Sequence, residues 1–211
     1  MLQGAPTITV NSFGSGSTVS GFNIYAATYS SGIYLTESNN CNIENNSFYN
    51  NSNGGYLYNS NNNVISNNNI SDNSQYGIQL SNSANNCIVG NTILNNRCYG
   101  IYVVGSNVTV ISNVLFNNGN AGIWISNGAN ATVMWNNVTN NGLCGFNGWS
   151  WDGICVTGAN AIVSWNNVTG NSRSGISVTG ANAQVLQNYL VQNGGHGINA
   201  AGLNLNISEI M

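Results

Sequence analysis

Charge is what this sequence most lacks. Of 211 residues, two are Lys or Arg and five are Asp or Glu, 3% against about a quarter in ordinary soluble chains. Lysine is absent altogether. That excludes a basic surface for phosphate backbones, and nucleic acid with it. Proline occurs once, at Pro6, and no apolar run approaches the roughly 18 residues of a membrane span. Met1–Gly16 shows no succession of charged, apolar and small residues that would mark a signal peptide. What fills the space is asparagine: 46 residues, beside 26 glycines. Such a bias suits a disordered polar tract. Yet 42% of the residues are hydrophobic, enough for a core if they are regularly placed.

They are. A glycine followed by a β-former recurs at Gly32-Ile33, Gly55-Tyr56, Gly77-Ile78, Gly100-Ile101, Gly122-Ile123, Gly153-Ile154, Gly175-Ile176 and Gly197-Ile198. The spacings are 23, 22, 23, 22, 31, 22 and 22, so the unit is 22–23 residues and one copy carries an insertion near 142–152. Two asparagine series keep step with it. One is Asn46, Asn68, Asn91, Asn113, Asn136, Asn166 and Asn188. The other, five residues on, is Asn51, Asn73, Asn96, Asn118, Asn141, Asn171 and Asn193. Apolar residues share the frame: Ile43 to Val185 three before each first-series Asn, Phe48 to Leu190 two after it. After the glycine, the first and third positions read Ile33/Leu35, Tyr56/Tyr58, Ile78/Leu80 and onward, all as inward pairs.

The local period is two and the inward residues are mostly β-branched, so these are short strands and no helix is expected. Three short strands and three turns per unit close one rung of a solenoid, each strand pairing in parallel with its copy about 4.8 Å away. Stacked inward asparagines then form ladders, their amides bonding above and below. Leucine-rich repeats require a helical return leg, and hexapeptide helices a six-residue sub-period; neither is present. Residues 1–31 read as irregular opening rungs, 32–200 as regular repeats and 201–211 as a final strand. The whole is one all-β domain of about nine rungs, a rod roughly 40 Å long.

The run Gly153–Asn171, with Gly-Ile-x-Val-x-Gly-Ala-Asn and Asn-Asn-Val-x-x-Asn, resembles the right-handed parallel β-helix repeat. That family includes pectate-lyase-like enzymes, phage tailspikes, Asn-rich surface proteins and a periplasmic copper-processing group. The resemblance covers about Gly32 to Ala200 and implies the fold far more than any activity. It also implies that an enzyme of the family would show clustered Asp residues, with calcium and Arg or Lys. Here Glu37, Glu44, Asp72, Asp152 and Glu209 are isolated in sequence. Rung register puts Asp72 near Arg97 and Asp152 near Arg173, which reads as surface pairing. His196 stands alone between glycines, so no catalytic residue, metal site or cofactor is expected.

Among the five cysteines, Cys41 and Cys87 read as one column two rungs apart, too far for a bond. A Cys144–Cys155 disulfide is geometrically allowed, with five buried thiols as the alternative. Trp135 and Trp165 share a column just before the ladder Asn. Tyr34, Tyr102 and Trp124 share the outward position of the first strand, and Phe146, Trp149 and Trp151 lie in the insertion. Such an aromatic face binds sugars or another subunit, or is covered by the insertion loop; the sequence leaves these open. Asn45, Asn50, Asn69, Asn107, Asn130, Asn137, Asn167 and Asn206 begin glycosylation sequons, as many as chance expects in so Asn-rich a chain.

Neither end shows a capping helix. The expectation is therefore a non-catalytic structural protein of the cell exterior, glycosylated, stacking head to tail with copies of itself into a filament. The alternative expectation is a carbohydrate-binding or carbohydrate-active (lyase- or hydrolase-like) β-helix protein.

Overall fold

Strands of three or four residues bury only one or two side chains each, so they persist only when paired on both edges. The computed structural model describes residues 8–25, 29–143 and 151–208 and shows how that pairing is achieved. Ile101–Val104, Thr109–Ile111 and Val114–Phe116 make one rung, and Ile123–Ser126, Thr132–Met134 and Asn137–Thr139 the next. Each strand pairs in parallel with its counterpart one rung away. Among the described residues this gives three sheets of nine, nine and eight strands, hence eight complete rungs and part of a ninth. The sheets are numbered first, second and third in chain order. The first corner joins the first sheet to the second, the second corner the second to the third, and the third corner leads back to the first. A single turn of 3-10 helix, Ser12–Gly14, is the only helical element described.

Inward side chains stack in columns. Ile78, Ile101, Ile123, Ile154 and Ile176 are in register along the first sheet. Ile65, Ile88, Val110, Val133 and Val163 fill the second, and Ile70, Ile93, Leu115, Val138 and Val168 the third. All are buried, and together they form one continuous core.

Both asparagine series are the ladders expected. Asn91 shows the pattern: its Nδ2 donates to Asn113 Oδ1 at 3.0 Å and to the Ile65 carbonyl at 2.8 Å. Its Oδ1 accepts the Asn68 backbone N–H at 2.9 Å and Asn68 Nδ2 at 3.0 Å. One amide thus satisfies backbone and side-chain groups on three successive rungs. Serine has too little reach, and an ionised aspartate has no donor. Further ladders escape the sequence pattern. Ser38 and Ser60 pass backbone N–H bonds to Ser60 and Ser83 Oγ, and Cys41 and Asn63 to Asn63 and Asn86 Oδ1.

Two expectations need correcting. Ile33 pairs with Gly55, not Tyr56, so Leu57 points inward while Tyr56 and Tyr58 face out. In the Gly54-Gly55 pair it is Gly54 that matches the column. The column glycines serve close approach. A Cβ on Gly100 would lie 2.7 Å from the Gly122 carbonyl oxygen and 2.8 Å from Leu115. The left-handed backbone belongs not to the ladder asparagines but to the residue before each, such as Asn67, Asn95 and Asn140. Finally, Cys41 and Cys87 share no column. Cys41 lies inward in line with Asn63 and Asn86, whereas Cys87 sits in the strand beside Val64 and Thr109, with a half-buried side chain.

Replacing Asn136 by Leu strands the Asn113 N–H and Nδ2 that it accepts at 2.9 and 3.0 Å. Each buried group left unpaired costs about 1–3 kcal/mol. Denaturant unfolding is expected to show a loss of that order for Asn136→Leu, and unchanged stability would place the ladder elsewhere.

Candidate functional site

The third corner concentrates what the rest of the surface lacks. Two columns meet there, separated by the column glycine and one inward residue. The residue before the glycine reads Ser31, Asn53, Tyr76, Tyr99, Ala121, Asp152, Ser174 and His196. The outward position of the first sheet reads Tyr34, Tyr56, Gln79, Tyr102, Trp124, Cys155 and Ser177.

Aromatic rings from both columns stack in two blocks. Tyr34 and Tyr56 lie 5.2 Å apart and nearly parallel. Tyr76 stacks on Tyr102 at 5.2 Å. Tyr99, wholly buried, contacts both of these and Trp124 at 4.8 Å. Gln79 separates the blocks, its Oε1 accepting from Asn53 Nδ2 at 3.3 Å, while the same Nδ2 reaches Ser31 Oγ at 3.4 Å. Beside the first block a groove of about 300 Å³ is lined by Tyr29, Ser30, Ser31, Tyr34, Ser52, Asn53 and Tyr56, none of them charged.

Every basic side chain of the protein also falls on this corner. Arg97 follows ladder residue Asn96, Arg173 lies two residues after Asn171, and His196 precedes Gly197; all three are exposed. Asp152 is there too, but not as the surface partner expected for Arg173. It is 4% exposed, and its Oδ1 accepts the Ser174 N–H at 3.0 Å. Burial, with the Cys98 thiol and Tyr102 hydroxyl nearby, holds the Tyr76 phenol above its usual range. Tyr76 therefore stays a proton donor at neutral pH.

Sequence-derived candidates divide accordingly. Tyr34, Tyr102 and Trp124 do share one face. Tyr56, Tyr76 and Tyr99 join them and were missed, Tyr56 because of the one-residue register error and the others because only the position after the glycine was read. Trp151, half-buried, flanks the same corner and has an indole N–H with no hydrogen-bond partner. Trp135 and Trp165 stand apart at the second corner, 56% and 46% exposed. The insertion, which joins the third sheet to the first, springs from a different corner. Cys144, Phe146 and Trp149 lie outside the described residues, so the Cys144–Cys155 pair has no structural account. All eight sequon asparagines are exposed. No group of three His, Cys, Asp or Glu side chains is placed to hold a metal among the described residues. No helix described is long and apolar enough to cross a membrane.

The sequence matches the family described as right handed beta helix region over residues 8–153. The chain belongs to that family. No curated protein matches it. Solved structures similar to this β-helix include the periplasmic alginate epimerase AlgG, 18% identical over 91% of the chain and 50% of that structure, TM-score 0.72. The AlgE4 A-module, a mannuronan C-5 epimerase of Azotobacter vinelandii, is 16% identical over 90% of the chain and 55% of its own, TM-score 0.72. A mutant DFA-IIIase from Arthrobacter chlorophenolicus, in complex with DFA-III, is 14% identical over 83% of the chain and 48% of its own, TM-score 0.60. This β-helix thus spans about half the length of each.

These likenesses correct the expectation of a non-catalytic filament subunit, and that of a protein without enzymatic role. Two of the structures that share the backbone are by name epimerases of alginate and mannuronan, which favours the alternative reading. Open strand edges and low charge are equally compatible with a β-helix segment of a carbohydrate-active protein.

The folded state holds the Tyr76 proton more tightly than the unfolded chain, whose phenols titrate near pH 10. Its stabilising contribution is complete below that value and is lost as the pH rises through the higher folded one. Thermal unfolding of wild type should fall with rising pH above about 10 more steeply than that of Tyr76→Phe. Parallel curves would show that Tyr76 is not perturbed.

Proposed function

We propose that this β-helix is the polymer-engaging face of a carbohydrate-active protein, and that an acidic polysaccharide lies along its third corner. The observation that carries this is the alignment of Arg97, Arg173 and His196, the chain's full complement of basic side chains, along the same corner as the tyrosine and tryptophan stacks, Arg97 within the rungs of those stacks and the other two in later rungs. A basic edge recognises carboxylates, and aromatic side chains recognise sugar rings. Arg97 and Arg173 belong to turns three rungs apart, about 14 Å, a separation that suits a chain of several sugar residues rather than one. The named substrates of two similar structures, alginate and mannuronan, are polymers of this acidic class.

The groups present suit proton transfer next to a sugar carboxylate. An arginine steadies the charge that develops on the carboxylate as Asp72, the exposed acid of the same turn as Tyr76, takes the proton from the neighbouring ring carbon, and Tyr76 returns a proton to that carbon. Asp152 holds the corner from beneath through Ser174. A hydrolytic pair of carboxylates is not assembled here, because Asp72 and Asp152, the acids of this corner among the described residues, belong to turns three rungs apart, about 14 Å.

In titrations with sodium alginate, Arg97→Gln/Arg173→Gln should weaken binding about tenfold, and added salt should weaken the wild-type complex. Equal affinity in the double variant would remove the acidic polymer from this corner. With alginate in D2O, wild type should introduce solvent deuterium into the sugar, and Tyr76→Phe should bind but exchange at least about tenfold more slowly. Exchange unaffected by the substitution would exclude Tyr76 as the donor.

A further inference from the structure

We propose that the second corner carries a separate platform for uncharged sugar residues, formed by Trp135 and Trp165. The residue before each first-series ladder asparagine leads into a left-handed turn, and elsewhere the chain fills it with Asn45, Asn67, Gly90, Ser112 or Gln187. Asparagine and glycine accept that backbone, whereas a bulky side chain there is an outlier. Trp135 has φ 54° and Trp165 φ 59°. Burial gives no compensation, since both indoles are about half exposed. Two strained, exposed aromatics on successive rungs serve neither folding nor solubility, the circumstance in which backbone strain points to function.

Their ring faces are open. Where aromatics occupy successive rungs elsewhere, as in Tyr25–Tyr49 and Tyr34–Tyr56, the rings stack at 5.2 Å and cover one another. Trp135 and Trp165 stack neither on each other nor on another described ring. Beside them stand Asn137 and Asn167, the outward residues that open the next strands. Asn167 Nδ2 donates to Asn137 Oδ1 at 3.2 Å, and Thr139 Oγ1 donates to the same oxygen at 2.9 Å. The remaining amide protons and the Asn167 carbonyl oxygen face solvent. Glu44, the one charged side chain described at this corner, is four rungs below Trp135, about 19 Å. An indole face rimmed by amides and hydroxyls, without charge, fits the apolar face and hydroxyl edge of a neutral hexose. It offers no cation to a uronate, so the two corners select different sugars. The choice of a glycan as occupant rests on the reading of the third corner as a polysaccharide site.

A neutral sugar could reach these rings from a free polysaccharide or from a glycan linked to Asn137 or Asn167, each of which begins Asn-Val-Thr two residues after its Trp. The open faces and the amide-to-amide bond favour the free polysaccharide. The test is affinity electrophoresis of unglycosylated full-length protein through gels containing hydroxyethylcellulose or laminarin. Wild type and Arg97→Gln/Arg173→Gln should be retarded alike in at least one of them. Trp135→Asn/Trp165→Asn, which restores the residue this turn prefers, should unfold at a higher Tm than wild type and bind at least about tenfold more weakly. An unretarded wild type overturns the proposal, as does retardation of the tryptophan variant equal to wild type. So does protein from a glycosylating host that carries sugar on Asn137 or Asn167 and binds neither polymer until the sugar is removed. Retention of neutral binding beside loss of the alginate effect would sink the acidic-corner reading alone.

Discussion

The side-chain amide of asparagine, bonded from one rung to the next, is what makes this chain a solid rather than a coil. A short strand cannot hold its register by its own side chains, because a slip of one residue inverts every face. The interior amides remove that freedom. Asn136, for example, accepts from Asn113 and donates to Asn166, so moving one rung would break bonds on both neighbours. The buried Ile, Val and Leu columns contribute most of the apolar burial. The ladders fix where each of those columns stands.

Because register is fixed inside, the outside is free to vary. A rung needs only its inward residues, its ladder amides and a glycine at each close approach; the outward positions carry no such demand. Most are Asn, Ser or Thr, and some extend the ladder habit to the surface, as in Asn130 donating to Asn107 and Asn160 to Asn130. Against that uniform background the departures are informative. Tyrosine, tryptophan, arginine and a buried aspartate collect at the third corner, and tryptophan replaces asparagine twice in a left-handed position at the second. The solenoid turns residues 22 apart in sequence into neighbours, so a binding face is written as one residue per repeat.

The same arithmetic explains what could be read from the sequence. Columns occupied by one residue type were legible: the two asparagine series and the aliphatic positions fall where their spacing put them. Gly55 was misread because two adjacent glycines fit the frame and only register distinguishes them. The third corner was not legible, because its residues share position rather than chemistry; Ser31, Tyr76, Asp152 and His196 look unrelated until stacked. Asp152 and Arg173 were correctly assigned to successive rungs. Nothing in spacing alone shows that the aspartate turns inward to a backbone N–H. Trp135 and Trp165 were recognised as a column, but their strain and their open faces are properties of the backbone they occupy.

The account stands or falls on which corner a polysaccharide covers. Hydroxyl-radical footprinting of the protein with and without alginate oligosaccharides reads this directly, because exposed aromatic side chains oxidise and covered ones do not. Protection is expected at Tyr29, Tyr34, Tyr76 and Tyr102 along the third corner. Tyr25 and Tyr189, which are exposed on the third sheet, should oxidise as before. Protection of the third-sheet tyrosines with an unchanged third corner would contradict the account.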